Sequence, residues 1–423
     1  MDSGPLTEPL PPKGAAASDS PYAVLRHRDF SVYLIARFIA ALGQQMLTVA
    51  VGWELYERTH QPLALGLVGL TQMVPMLLFF LPAGHVADHY NRKRTILAMV
   101  FLATLSSTGL ALISALHGPV LWIYGCLLAA GVARTFLWPA SQAFLPQLVP
   151  RRIFSRAVTW NTGAFHLSSV IGPAVGGKLI ELTQNAAVVY AINAATTLIC
   201  LGLIAFVRAR QTVIPRTEMS LASLLAGFKF VYQTKIILGT ITLDLFAVLL
   251  GGATALLPVY AKDLLHVGPK GLGHLQAALP LGSVISAIYL AHRPPLERAG
   301  RALIWAVIAF GLATIAFGLS RSFWLSFAML FICGAVDNVS VVVRHTLVQL
   351  LTPDEMRGRV SAVNSLFIGT SNEMGGFESG LVAQLFGPVI SVVAGGVGTI
   401  LVVIATALNW PEIRKYGRLD GSA

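Results

Sequence analysis

Two carboxylates, Glu373 and Glu378, stand five residues apart in SNEMGGFESG (371–380), inside a long apolar run. Other ionisable residues interrupt apolar runs one at a time: Glu54, Arg134, Asp244, Asp337 and Arg344. Asp337 and Arg344 are seven residues apart, two turns along roughly one face of a helix. Such groups can bind and release protons, pair with one another, or hold a polar part of a ligand. Gln44 and Gln45 add polar contacts of the same kind, and His166 either shuttles protons or is simply packed. No nucleophile–base pair or metal-ligand spacing accompanies them, so covalent catalysis is not expected. Cys126, Cys200 and Cys333 lie singly in apolar runs and read as buried structural thiols. GPAVGGKL (172–179) mimics a phosphate loop, but Leu179 replaces the Ser/Thr and no strand precedes it. No cofactor or ATP site is visible.

The elements that position these groups follow from composition. The chain of 423 residues is 55% hydrophobic and 12% charged, with mean hydropathy +0.71. Soluble domains carry about 25% charged residues, so this chain cannot cover a water-facing surface. It reads as an all-α polytopic membrane protein. The net charge of +11 forms no basic stripe or aromatic-studded patch, so nucleic acid is not an expected partner. Residues 1–21 lack the apolar core of a signal peptide and read as a disordered tail.

Hydropathy divides the rest into twelve spans: 30–56, 63–86, 95–116, 119–146, 157–182 and 186–207, then 236–261, 271–292, 301–319, 322–350, 359–385 and 388–410. The expected organisation is a six-span half over 22–207, a linker over 208–235, a second half over 236–411, and a tail over 412–423. The linker's later part, SLASLLAGFKFVYQ, reads as an amphipathic helix on the membrane surface. Placing both termini inside puts 22 of the 30 Lys and Arg on the cytoplasmic side. In that topology Asp337 and Glu373 lie nearest mid-membrane, Asp244 further in and Glu54 further out. Charges there cost about 2.5–3.5 kcal/mol each even on a lenient scale, so they face protein or water. Pairing of Arg134 or Arg344 with a carboxylate inside the bundle competes with a proton-carrying role for these residues.

The halves resemble each other. GLVGLTQMVP (66–75) matches GLGHLQAALP (271–280), and Pro150, Arg156 and Asn161 return as Pro353, Arg359 and Asn364. The first match is offset by 205 residues and the other three by 203, and the offset of 203 aligns SSVIGPAVGG (168–177) with SNEMGGFESG and sets Arg134 opposite Asp337. Duplicated six-helix units build many secondary transporters, with binding where the units meet.

The densest charge run, GHVADHYNRKRT (84–95), falls in the loop between the second and third spans. Gly84, Asp88, Arg92, Lys93 and Arg94 follow G-x-x-x-D-x-x-x-R-K-R, which resembles the signature loop of the major facilitator superfamily. His89 stands where that signature has Arg or Lys, and Asn91 where it has Gly, a residue Asn imitates at positive φ. A purely topogenic basic loop is the alternative. IGPAVGG (171–177) resembles the G-P-x-x-G-G core of the superfamily's exporters; Gly172, Pro173, Gly176 and Gly177 would form a hinge, or ordinary close packing. YAVLRHRDFSVYLIARFIAALGQQM and TPDEMRGRVSAVNSLFIGTSNEMGGFESG are similar to the branch of bacterial macrolide-efflux and enterobactin-type siderophore exporters.

That resemblance, over residues 22 to about 411, implies export of a small amphipathic organic molecule by alternating access, driven by an ion gradient, usually protons. It implies a bacterial inner-membrane protein, a monomer among its lipids. It also implies that Asp88 latches the cytoplasmic side against the start of span eleven, with Arg357 and Arg359 as ion-pair partners. An importer, a lipid or lysolipid carrier, and a non-transporting receptor are the alternatives.

Overall fold

The computed structural model describes residues 22–208, 221–294, 296–415 and 417. The expected tails at 1–21 and beyond 417, and the first part of the linker, lie outside the described residues. The described chain is helical throughout: α1 Arg28–Thr59, α2 Pro62–His89, α3 Arg92–Ala115, α4 Val120–Phe144, α5 Phe154–Thr183, α6 Ala186–Phe206, α7 Leu221–Gln233, α8 Lys235–Leu250, a short α9 Leu257–Val259, α10 Gly268–Ala291, α11 Ala299–Leu319, α12 Phe323–Leu351, α13 Arg357–Phe386, α14 Pro388–Asn409 and α15 Pro411–Lys415.

Ten helical segments are long and apolar enough to cross a membrane. Hydropathy along the sequence counts twelve spans; the other two are α5 and α13. Each is 30 residues long, but polar side chains dilute its hydropathy. Both also begin and end 203 residues apart, the offset of the sequence repeat. α5 packs on α1 and α10, and α13 on α2 and α8, so these two diluted helices are the ones between the sets α1–α6 and α8–α14. The pairs α5–α10 and α13–α2 are images of each other under the repeat.

Glycine makes both crossings close. A Cβ on Gly177 would lie 2.3 Å from the Pro269 carbonyl oxygen, and one on Gly380 would lie 2.8 Å from the Gly66 Cα. These contacts cluster at the end of the bundle where α1 turns into α2, the far face. The largest apolar core lies there too and draws on both sets, including Met46, Leu55 and Tyr190 with Leu256, Tyr260 and Leu272. At the other end, the terminal face, each set has a core of its own: Phe30, Tyr33, Ile96 and Phe144 in one, and Leu243, Leu303, Val343 and Leu347 in the other. A smaller cluster there joins Phe80 and Leu81 of α2 to the second set. Trp122 and Trp324, at the far-face ends of α4 and α12, are exposed as interfacial anchors.

Two local expectations change. The helix predicted over 236–261 breaks after Leu250 at Gly251–Gly252, and resumes through α9 into a π turn at Tyr260–Leu264. A Cβ on Gly252 would meet the Gly375 carbonyl at 2.4 Å, so the break lets α13 approach. The amphipathic α7 does not present its apolar face only to a membrane surface. Leu224 and Val231 are buried against Val360 and Val363 of α13, with Phe80 and Leu81 of α2 packed on the same cluster. Leu225 and Tyr232 of the same helix remain exposed.

Candidate functional site

α2, α4 and α13 converge on one charged group. Arg134 Nη1 donates to Gln72 Oε1 at 2.9 Å and to Glu373 Oε1 at 3.2 Å. The ion pair links the two helix sets; the Arg134 side chain is 64% exposed and that of Glu373 only 16%. Gly131 and Gly69 permit the convergence: Gly131 seats Pro75, and a Cβ on Gly69 would lie 2.4 Å from the Glu373 carbonyl. One turn beyond Arg134 on α4, Trp138 is also exposed. An accessible guanidinium beside an indole, with a sheltered carboxylate as counter-ion, can hold a ligand or exchange the carboxylate's proton.

On the far-face side of this pair the sets are clasped together. The Tyr56 hydroxyl of α1 donates to the Asp263 carboxylate in the π turn. Lys262 Nζ donates to Glu57 Oε2 at 2.8 Å and stands 5.9 Å from the Tyr56 ring. Gly52 packs on Pro258. No comparable ion pair between the sets occurs at the terminal face among the described residues.

The remaining candidates are placed as follows. Arg344 does not face Asp337 as a partner; it forms a buried ion pair with Asp244 across α12 and α8. Asp337 is half-buried and makes no hydrogen bond or ion pair among the described residues. Glu378 is half-buried, and among the described residues its carboxylate accepts one hydrogen bond, from the Ser379 hydroxyl 3.4 Å away. Glu54 is buried and paired with Arg58 at 2.6 Å, and Arg58 also donates to the last carbonyls around α3, Ser114 and Gly118. Gln45 donates to Ser169 at 2.8 Å, tying α1 to α5, while Gln44 is exposed. His166 is half-buried beside Phe165. Cys200 and Cys333 are buried, but Cys126 is only half-buried, its sulfur set against Gly109 of α3.

In the signature loop, Gly84 is buried, and Arg92 Nε donates to the Ala87 carbonyl at 3.1 Å. Lys93 Nζ donates to the Ala205 and Val207 carbonyls, capping the C-terminus of α6. Arg94 is exposed. Asn91 is not at positive φ. It sits at φ −64° and caps α3, its side-chain oxygen accepting from the Arg94 amide. Helix capping, not imitation of glycine, therefore explains the residue.

Asp88 is half-buried and forms no ion pair with Arg357 or Arg359. Across α2 and α13, 66 meets 380, 69 meets 373 and 76 meets 369. Arg357 is paired instead with Asp354 at 2.8 Å, and Arg359 with the Met356 sulfur. α7 also covers the start of α13, with Gly227 against the Arg359 carbonyl.

Gly172 and Gly176 back onto Gln45 and Met46 of α1, and Gly177 onto α10. Gly177→Ala must force α5 and α10 apart, at about 1–3 kcal/mol for such overpacking. The expected result is a lowered thermal midpoint and transport reduced several-fold, measured in detergent and in proteoliposomes. Gly163→Ala, with open space around the new methyl, is expected to change neither.

Gln72, the Tyr56–Asp263 bond and the Glu57–Lys262 pair do not follow from the sequence reading. Gln72 had a signal: it replaces Ala277 of the repeat, a polar residue where its duplicate is apolar. The clasp pairs had none, being some 205 residues apart with ordinary surface types.

Comparison with known proteins decides the family. Residues 19–417 match the family described as transmembrane secretion effectors. The chain belongs to this family. It is a multi-pass membrane transporter of the major facilitator superfamily, not an enzyme. It is 29% identical to enterobactin exporter EntS of Escherichia coli (strain SMS-3-5 / SECEC) over 391 residues, 92% of this chain and 94% of the relative. The same figures hold for EntS of Shigella boydii serotype 18. Among solved structures, a POT family transporter in complex with 5-aminolevulinic acid superposes with TM-score 0.72 at 14% identity, covering 92% of this chain and 97% of that one. A bacterial homolog of the human lysosomal transporter Spinster, inward-facing and unoccupied, gives 0.65 at 15% identity, covering 92% and 95%. The likeness to these structures lies in the fold.

Proposed function

We propose that this transporter exports a small amphipathic organic molecule, siderophore- or drug-like, in exchange for protons. In this reading twelve helices span the membrane as two six-helix halves, α1–α6 and α8–α14, with the α8–α9–π-turn run as one span. The terminal face is cytoplasmic, because the charge asymmetry puts most Lys and Arg there. The membrane is the bacterial inner membrane.

The observation that carries the proposal is the Arg134–Glu373 pair, a switchable charge contact between the halves. It lies below the far-face clasp, with the Arg134 side chain exposed. The larger shared core and the clasp at the far face, against a smaller shared cluster beside two separate cores at the terminal face, support an inward-facing state. Protonation of Glu373 would release Arg134 to the substrate, and deprotonation would restore the pair. Pairing and release therefore favour different states, which is what differential binding to two conformations requires.

Asp88 supplies the opposite gate. When the terminal face closes, the α2–α13 register would bring Asp88 to Arg357 and to the start of α13. A carboxylate at a helix N-terminus contributes about 0.3–1 kcal/mol, more where partly buried. Asp88→Asn is expected to insert normally and to transport several-fold more slowly. Wild-type flux in proteoliposomes would reduce the loop to a topology signal.

The test of the proposed export is a substrate screen in proteoliposomes, with enterobactin and a macrolide as first probes, scored with and without a proton gradient. Gradient-dependent movement of either supports it. Movement of labelled lipid alone would identify a lipid carrier, and no movement of any probe would favour a receptor.

A further inference from the structure

We propose that the outer side of α7 is a docking surface for anionic phospholipid at the terminal face. The helix has two sides of different character. On one, Leu224, Gly227 and Val231 are buried against α13, and Phe228 meets Phe367 edge-on with ring centroids 5.6 Å apart. On the other, Leu225, Lys229 and Tyr232 are exposed, and their spacing of four and then three residues sets them along one strip. Leu225 is 59% exposed and Tyr232 76%, so the protein leaves a large apolar and aromatic surface uncovered there.

The level of α7 determines what meets that strip. Its buried side packs on Val360 and Phe367, within the first three turns of α13, and on Val348 in the last turn of α12. α8 begins at Lys235, two residues after α7 ends. α8 and α12 are both in segments long and apolar enough to span a membrane. A helix packed on their terminal-face ends lies at the boundary between hydrocarbon and water. There an apolar strip enters the lipid, a tyrosine sits at headgroup depth, and a lysine stem runs along the strip to carry its ammonium to the phosphates. α13 and the membrane surface thereby share the helix between them.

Charge selects the lipid. Residues 221–235 contain Lys229 and Lys235 and no Asp or Glu, and both lysines are exposed. Leucine and tyrosine would enter any bilayer, but each lysine near an anionic surface strengthens binding about fivefold. The surface is independent of the transport proposal, and it is measured without substrate.

The test places a nitroxide spin label on the full-length protein, at Leu225→Cys or Tyr232→Cys one at a time, so that the other apolar anchor remains. The background is Cys126→Ala, since Cys200 and Cys333 are buried. Nanodiscs of phosphatidylcholine are compared with nanodiscs of phosphatidylcholine mixed with phosphatidylglycerol. The readout is the ratio of collision with lipid-soluble oxygen to collision with a water-soluble nickel chelate. That ratio is expected to rise several-fold with phosphatidylglycerol at both positions. Lys229→Gln/Lys235→Gln is expected to return it to the phosphatidylcholine value; both lysines are exposed, and an unchanged thermal midpoint verifies folding. The same ratio in both lipids, or a phosphatidylglycerol response that survives the double substitution, would overturn the site.

Discussion

Glu373→Gln is expected to abolish proton-driven accumulation of substrate while leaving substrate binding and downhill exchange largely intact. The amide keeps the shape of the side chain and, uncharged like the protonated acid, leaves Arg134 held by Gln72 at 2.9 Å and free to meet substrate. What the amide cannot do is gain and lose a proton. One proton moved through about 100 mV contributes about 2.3 kcal/mol, enough for nearly a fiftyfold gradient of a neutral substrate at about 1.4 kcal/mol per decade. The variant should lose that entire factor. Glu378→Gln should lose far less, because among the described residues Glu378 pairs with no cation and its hydrogen bond is to its neighbour Ser379. Asp337→Asn is the companion measurement. Asp337 has the burial for a proton carrier but not the partner, so its loss is expected to lower the rate and preserve coupling. Retained accumulation in Glu373→Gln would remove the site from the mechanism.

Arg344→Met is expected to cost more stability than any of the other single substitutions. Arg344 and Asp244 are 3% and 8% exposed, and each is the other's charge partner between α12 and α8. Removing one member of a buried pair leaves the other uncompensated and typically costs about 3–5 kcal/mol. Replacing both with apolar residues is often neutral. The thermal midpoint of Arg344→Met should therefore fall sharply, and Arg344→Met/Asp244→Val should recover most of the loss. A double variant as unstable as the single one would mean that packing of the arginine stem, not charge, is what matters. This pair is a structural contact of the second helix set, which separates it in role from Arg134 and Glu373.

The contrast between these two arginines marks what the sequence could and could not disclose. That both lay in apolar spans, and that a carboxylate would attend each, was legible from the cost of a bare charge in a membrane. Which carboxylate was not. Asp337 shares a helix face with Arg344 in the one-dimensional pattern, yet Asp244 on a neighbouring helix is the partner, because pairing is set by crossings that spacing along one helix does not encode. The repeat was more informative. The offset of 203 anticipated that α5 and α13 would be equivalent, and the structure gives them identical length at that offset. Hydropathy missed the break at Gly251–Gly252, although two adjacent glycines were there to be read, because averaging over a window smooths a single interruption. The Asp88 partner shows the remaining limit. The sequence pointed to Arg357 or Arg359, whereas Arg357 pairs with Asp354 beside it, a short-range partner that the long-range reading passed over.

If substrate and protons exchange through the Arg134–Glu373 contact between the halves, the exchange can be read as internal pH in proteoliposomes. Enterobactin is added outside, without an imposed gradient. Internal pH is expected to rise as substrate enters, and Glu373→Gln is expected to remove the rise while substrate still equilibrates. Substrate movement with no change in pH, or with a fall, would show that the contact does not couple the two.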